Sequence, residues 1–145
     1  MGTRCQVKME MEGMTWNHAV TLYHHWDGYP TNILKLLQQA RKSVPDKDAW
    51  QAGRAGKAAS YVCAVEPGEF EPEEGHEKHG DIEWYYVVHC VNEKQGCTAE
   101  NPKWLVDVYD EFHDEKVADR KNLMELSDTD MWDIEHWNDS EDESE

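Results

Sequence analysis

The sequence predicts an α+β domain: a mainly antiparallel sheet of about four strands with two helices packed on one face, followed by an acidic C-terminal segment. Segments with alternating apolar and polar residues occur in groups rather than in strict alternation with helices, which favours α+β over α/β. Between residues 32 and 64, apolar or small residues recur at helical spacing in two segments. The length of 145 residues fits one domain.

The first two predicted strands form a hairpin. Residues 4–12 alternate apolar and polar side chains, as expected of a half-buried strand. Residues 19–26 are rich in β-forming side chains such as Val20 and Thr21. Because Gly13 breaks the first run, we expect the second run to pair back on it.

Two helices are predicted next. The first covers residues 32–44, with Thr31 as its N-cap, and it should end near Val44 because Pro45 disfavours helical backbone in the residue before it. The second covers about residues 48–64, and its small side chains allow close approach to a neighbouring element. The apolar residues at helical spacing in the first helix are Ile33, Leu36, Leu37, Ala40 and Val44.

The second half of the chain begins with a loop at residues 66–80, which are rich in proline and glycine. Residues 82–91 and 103–109 each place apolar side chains at alternate positions and are predicted strands. Residues 114–126 are predicted as a third, more polar helix.

Acidic residues dominate the charge, and they are concentrated at one end. The formal net charge is −17, from 31 acidic and 14 basic residues. Residues 122–145 contain ten acidic residues and no Lys or Arg. We therefore predict a domain of residues 1–126 and an acidic, aromatic-containing tail, residues 127–145. This charge repels phosphate backbones, which argues against direct nucleic-acid binding, and it suits a basic partner protein.

The chain shows no signal-peptide pattern and no apolar run near the ~20 residues of a membrane span. We therefore expect a cytoplasmic protein, or one in the host cytoplasm if a phage encodes it, that does not bind membranes. Its four cysteines should then be free thiols in a reducing compartment.

The segment Tyr23–Pro30 is the most distinctive part of the chain. His24, His25 and Asp27 at a strand-to-helix junction could bind a metal or act as acid and base. Successive strand residues point to opposite faces, however, so the two histidines of a regular strand cannot share a site. We favour a turn built by Asp-Gly, stiffened by the following Tyr-Pro and packed by its aromatics. The residues of this signature turn are His25, Trp26, Asp27 and Tyr29.

A second group of candidate metal ligands lies around the strand at residues 82–91. Zinc prefers four tetrahedral ligands in tight pairs, whereas here the cysteines are widely spaced, so we favour surface histidines and a buried Cys90. A disulfide between Cys90 and Cys97 is conceivable by spacing but disfavoured in a reducing compartment. No cofactor is predicted. The candidate zinc ligands are His76, His79, Cys90 and Cys97, with His89 close by.

Two segments, Tyr23–Pro30 and Gly80–Tyr86, resemble small uncharacterised proteins of phages and mobile elements. In those proteins a strand ends in aromatic-x-His-aromatic-Asp-Gly-Tyr-Pro, and further along there is a strand with Gly-Asp-(Ile or similar)-Glu-aromatic-x-Tyr. The resemblance covers residues 4–110 in the order of elements, although Thr31-Asn32 replace the small residue or glycine that usually follows the proline. It implies a mobile-element setting, in which small acidic proteins often bind and inhibit host proteins.

We expect a non-enzymatic protein-binding factor, such as a counter-defence inhibitor that mimics nucleic-acid charge and binds the basic surface of a host protein or nucleic-acid-binding complex. The alternative is a metal-dependent enzyme using His24, His25 and Asp27, or a zinc-stabilised domain. No catalytic residues are predicted, since no hydrolase signature occurs. The expected partner-binding residues are the aromatic and acidic ones of the tail: Asp128, Asp130, Trp132, Asp133, Glu135 and Trp137.

Overall fold

A computed structural model describes residues 3–11, 19–91 and 103–139, which form one sheet covered on one face by helices. The strands are β1 (Cys5–Met11), β2 (Ala19–His24), β3 (Phe70–Pro72), β4 (Trp84–Val91), β5 (Lys103–Asp110) and β6 (Glu115–Asn122). The helices are α1 (Pro30–Ser43), α2 (Ala55–Val65) and α3 (Asp128–Glu135), with 3₁₀ segments at Asp46–Gly53 and Leu123–Glu125.

The sheet is mixed and has six strands in the order β3-β2-β1-β4-β5-β6. Its central pair, β1 and β4, is parallel, and every other neighbouring pair is antiparallel. The prediction of a mainly antiparallel sheet of about four strands with two helices is therefore wrong. The hairpin of β1 and β2 is present, but β4 pairs with the free edge of β1. This pairing was not predicted because it depends on packing across the whole domain, and no local sequence pattern indicates it.

The predicted helix at residues 114–126 is also wrong, because β6 and a 3₁₀ turn occupy this stretch. Only Ala118 of β6 is buried, so the strand lacks the clean alternation that marks a half-buried strand. Its pairing with β5 is irregular, and Arg120 has a positive φ of 47°. β3 escaped prediction because it is three residues long and ends at Pro72, which suits an edge strand.

The helices have boundaries that differ from the predicted ones. α1 begins at Pro30 with Tyr29 as its N-cap, rather than after Thr31. A proline at the first helical position needs no N–H donor and has a suitable φ, which explains the earlier start. The predicted helix at residues 48–64 is divided by Arg54, whose backbone is extended, into the first 3₁₀ segment and α2.

The core lies between the helices and one face of the sheet. Apolar side chains from β1, β4 and β5 meet those of α1 and α2 in one continuous cluster, which includes the fully buried Trp104 and Tyr86. A smaller cluster around Tyr23 and Tyr85 lies on the opposite face, which we call the open face. Among the described residues, the helices are too short or too polar to cross a membrane.

Candidate functional site

The signature turn lies at one end of the sheet, directly after β2. His24 points into the helix side, where its ring contacts that of Phe70, while His25 points to the open face beside Tyr23. The structure therefore places the two histidines on opposite faces, as strand alternation requires. Asp27 has a positive φ of 49° and an exposed side chain. The three residues of the metal-enzyme hypothesis do not converge on one point.

Gly28 is the residue of this turn with the tightest surroundings. A Cβ atom at this position would lie 2.8 Å from the Thr3 carbonyl oxygen and 2.9 Å from the Cys5 Cβ. The Gly28 N–H donates to the same Thr3 oxygen at 2.8 Å. The buried Tyr86 hydroxyl donates to the Gly28 carbonyl at 2.6 Å. The turn is thus pinned to β1 and β4, and only glycine fits the close approach.

Tyr86 and Asp81 connect the two segments that carry the resemblance to mobile-element proteins. Tyr86 bonds Gly28, and the Tyr23 hydroxyl donates to Asp81 Oδ2 at 2.9 Å. Burial, and then Asp81, raises the pKa of Tyr23 to about 12, so its hydroxyl remains a donor. The two segments, although separated in sequence, are therefore in direct contact. Packing and hydrogen bonding explain why particular residue types stand at four positions: Tyr23, Gly28, Asp81 and Tyr86.

His24 is buried, and only one of its two ring nitrogens has a hydrogen-bond partner among the described residues. Its Nε2 donates to Glu66 Oε1 at 2.7 Å, whereas Nδ1 is buried with no hydrogen-bond partner among the described residues. Cys5 is its register partner on the same side of the sheet, and burial raises the pKa of the Cys5 thiol far above its ordinary value. A thiol held neutral in this way is a poor nucleophile, so the pair suits packing rather than catalysis.

The loop at residues 73–83 crosses the open face and is held there by polar side chains. Gln6 is its anchor: the side-chain amide donates to Glu73 Oε1 at 2.7 Å and to the Glu77 carbonyl at 3.0 Å, and it accepts from the His79 N–H at 3.0 Å. His79 Nε2 also donates to Glu73 Oε2 at 2.6 Å. A buried polar residue whose donors and acceptors are matched in this way fixes the loop in one position.

A second polar cluster on the open face surrounds His89. Its Nδ1 lies 2.8 Å from Glu10 Oε1, and its Nε2 lies 2.7 Å from Asp107 Oδ2. Burial tends to raise the pKa of Asp107, but hydrogen bonds from His89 and the Arg120 N–H, with the nearby Lys116 charge, together lower it. The roles of Glu10 and Asp107 were not predicted from the sequence. Alternation along β1 and β5 could have placed both side chains on one face of the sheet. It could not have shown that both lie beside His89.

We expect Asp107→Asn to lower the free energy of unfolding at neutral pH by about 1–3 kcal/mol, because a charged, nearly buried acceptor is lost. Since the folded-state pKa of Asp107 is lowered, its stabilisation is present above the unfolded pKa of about 4 and disappears as the pH falls through the folded value. The difference between wild type and variant should therefore shrink below about pH 4 in urea titrations. A difference that stayed constant with pH would contradict this assignment.

The candidate zinc ligands do not form one site in the described part of the chain. His76 shares a hydrogen bond with Thr21 Oγ1 at 2.7 Å on the open face, and His79 bonds Glu73 there. Cys90 lies on the helix side, where burial raises its thiol pKa to about 12. Cys97 falls outside the described residues. Within those residues, no three His, Cys, Asp or Glu side chains are grouped so that they could hold a metal ion.

An open groove of about 540 Å³ lies beside the loop on the open face. Three of its seven lining residues are Glu, against one Lys, whereas small-molecule sites are usually lined by apolar and aromatic side chains. This groove therefore suits cations or a basic chain better than a neutral metabolite. The lining residues are Pro72, Glu73, Glu74, Gly75, Glu77, Lys78 and His79.

The C-terminal segment docks on α1 and β5. Met131 is fully buried, and Ile134 packs against the core. Glu135 Oε1 accepts from both the N–H and the hydroxyl of Thr31, at 3.0 and 2.7 Å. Trp137 Nε1 donates to Asp110 Oδ2 at 2.9 Å. Several tail residues are therefore engaged within the protein itself.

The six expected partner-binding residues of the tail fall into two groups. Four form ion pairs or hydrogen bonds within the fold: Asp128 pairs with Lys35, Asp130 forms a capping box with Ser127, Glu135 bonds Thr31, and Trp137 bonds Asp110. The other two, Trp132 and Asp133, are exposed, and their side chains form neither with a described residue. Trp132 stacks on His136 with ring centroids 4.1 Å apart, which holds the indole in place on the surface.

Comparison with known proteins adds no assignment. No family model matches the chain, and no curated protein or solved structure matches it significantly. The resemblance to mobile-element proteins therefore stays a prediction.

Proposed function

We propose that this protein is a non-enzymatic binding factor that occupies the basic, nucleic-acid-binding surface of another protein by mimicking nucleic-acid charge. The observation that carries the proposal is the separation of charge between parts of the fold. Residues 66–83 contain eight acidic residues and one Lys, whereas residues 30–65 contain two acidic and six basic residues. The first stretch forms the β3 edge and the loop on the open face, and the second forms α1, the first 3₁₀ segment and α2.

The acidic stretch is available to a partner. Glu71, Glu74 and Glu77 are exposed, at the β3 edge and in the loop that follows. Carboxylates gathered on one side of a small protein create a directional potential, which accelerates encounter with a basic surface and orients the approach. An even distribution of the same charges would support solubility without this orientation.

Among the described residues, the histidines support an enzymatic function less well than the charge pattern supports a binding function. His24, His79 and His89 each bond a carboxylate within the fold. The resemblance to mobile-element proteins provides the setting: a counter-defence inhibitor acting in the host cytoplasm on a nuclease or a nucleic-acid-binding complex. The basic groove of such a protein is where a nucleic-acid mimic would compete.

The test is competition with DNA. A fluorescent duplex is bound to a DNA-binding protein without sequence preference, and this chain is added at low and at high salt. We expect displacement of the duplex that weakens steeply as salt rises, because the contact is electrostatic. Loss of two charges by Glu74→Gln with Glu77→Gln should weaken displacement by about 2- to 10-fold.

A matched control removes the same number of charges from the first 3₁₀ segment, by Asp46→Asn with Asp48→Asn. This control should displace the duplex as well as wild type does. The proposal would be abandoned if the chain failed to displace DNA at low salt, or if the two double variants behaved alike.

A further inference from the structure

Exposed aromatic side chains are concentrated at one end of the sheet. Four of the six large apolar side chains that are exposed in the described part of the chain lie there, each at least 42% exposed. Isolated exposed apolar residues are common, but such a grouping on a small protein marks an interaction surface. We call this surface the aromatic end. It consists of Trp26, Tyr29, Phe112 and Trp132.

The strand register places these residues at the same end. His24, Cys5, Trp84 and Asp110 are register partners in one row across the sheet. The segment after His24 carries Trp26 and Tyr29, and the turn after Asp110 carries Phe112. Strands β2 and β5 are separated by three strand spacings, about 14 Å. The aromatic end therefore spans a length that several residues of an extended chain could cover.

The C-terminal segment brings Trp132 to this end. Glu135 bonds Thr31 at the start of α1, and Trp137 bonds Asp110 at the end of β5. The ring centroid of His113, in the turn after β5, lies 5.0 Å from that of Phe112 and 5.7 Å from that of Trp137. These contacts fix the segment against the sheet end, so the exposed indole of Trp132 has a defined position.

The charge at the aromatic end selects one class of partner. Asp27, Glu83, Asp114 and Asp133 are exposed there, and none forms an ion pair with a described residue. Two basic residues near this row are already paired: Arg4 Nε lies 3.6 Å from Asp81 Oδ2, and Lys78 Nζ lies 3.1 Å from Glu111 Oε2. Carboxylates interleaved with aromatic faces attract cations, and guanidinium groups are favoured because they stack on rings as well as pair with carboxylates. A second copy of this acidic chain would be repelled.

We propose that the aromatic end is a second contact surface of this protein, in addition to the acidic stretch of residues 66–83, and that it binds arginine side chains of a basic partner. The proposal rests on the proposed function and adds a further contact and the residue type that it recognises. Stacking on the rings provides selectivity for arginine over lysine, while the carboxylates provide attraction to either.

The test uses two fluorescent peptides of about nine residues, one of arginine and one of lysine, each long enough to span the aromatic end. We expect fluorescence anisotropy to show tighter binding of the arginine peptide. Trp26→Ala, Phe112→Ala and Trp132→Ala should each weaken that binding by about two- to fivefold. Because all three side chains are more than half exposed, these variants should fold normally.

Trp50→Ala is the matched control, since Trp50 is 41% exposed but lies in the 3₁₀ segment after the C-terminal end of α1. It should bind the arginine peptide as wild type does. The two peptides could instead bind equally and with salt dependence, and the three variants could leave that binding unchanged. This result would overturn the proposal for the aromatic end but would leave the proposed function intact. Failure of both peptides to bind at low salt would overturn both.

Discussion

Replacing Gly28 with alanine is expected to lower the free energy of unfolding by about 2–3 kcal/mol, which corresponds to a fall in Tm of about 4–12 °C. The added methyl group would lie 2.8 Å from the Thr3 carbonyl oxygen, so the turn must move away from β1. That movement also strains the hydrogen bond between the Tyr86 hydroxyl and the Gly28 carbonyl. Thermal unfolding followed by circular dichroism measures the effect.

Gly56→Ala is the control for this prediction. Gly56 lies in α2, and a Cβ atom at this position would meet nothing within 4 Å. Alanine is the better helix former, so this variant should be more stable than wild type by about 0.5–1 kcal/mol. If the two alanine variants shifted Tm in the same direction, the steric explanation of Gly28 would be incorrect.

Trp104→Ala should have the larger effect, a loss of about 3–5 kcal/mol in the free energy of unfolding. Trp104 is fully buried on β5, and its indole N–H donates to the Ala52 carbonyl at 2.7 Å. Truncation leaves both a cavity between sheet and helix layer and a buried carbonyl without a donor. Urea titration should show a lower midpoint.

Trp132→Ala removes the same atoms from a surface position and should change stability by no more than about 0.5 kcal/mol. Trp104→Phe, which keeps most of the ring volume but not the N–H, should lie between the two. An equal loss of stability in Trp104→Ala and Trp132→Ala would contradict the position of Trp104 in the core.

Local patterns predicted the elements whose burial repeats along the chain. The alternation in β1 and the helical spacing of α1 both reflect one buried face, and both elements exist. β6 lacks such a face, since Ala118 alone is buried, and its charged residues were consistent with a polar helix. The parallel pairing of β1 with β4 depends on which strand fills the free edge of the hairpin, and this is decided by the whole core rather than by either strand.

The sequence was enough to predict on which face of the sheet the site residues lie, but not which residues they contact. Alternation correctly separates His24 from His25, because it depends only on neighbouring positions. The partner of His24 is Glu66, far along the chain after α2, and nothing near either residue identifies the pair. The tail illustrates the same limit: its composition indicated a contact surface, but the bonds of Glu135 and Trp137 arise only when α3 lies against α1 and β5.

The parallel central pair also has a consequence for biosynthesis. The register partners Cys5 and Trp84 are about 80 residues apart in the chain. A ribosome that adds about 5–20 residues per second needs about 4–16 seconds to make the intervening stretch. From the time β2 has been made until the end of that interval, the hairpin of β1 and β2 exposes an unpaired strand edge. The nascent chain is therefore most open to chaperones, and to aggregation, before β4 has been synthesised.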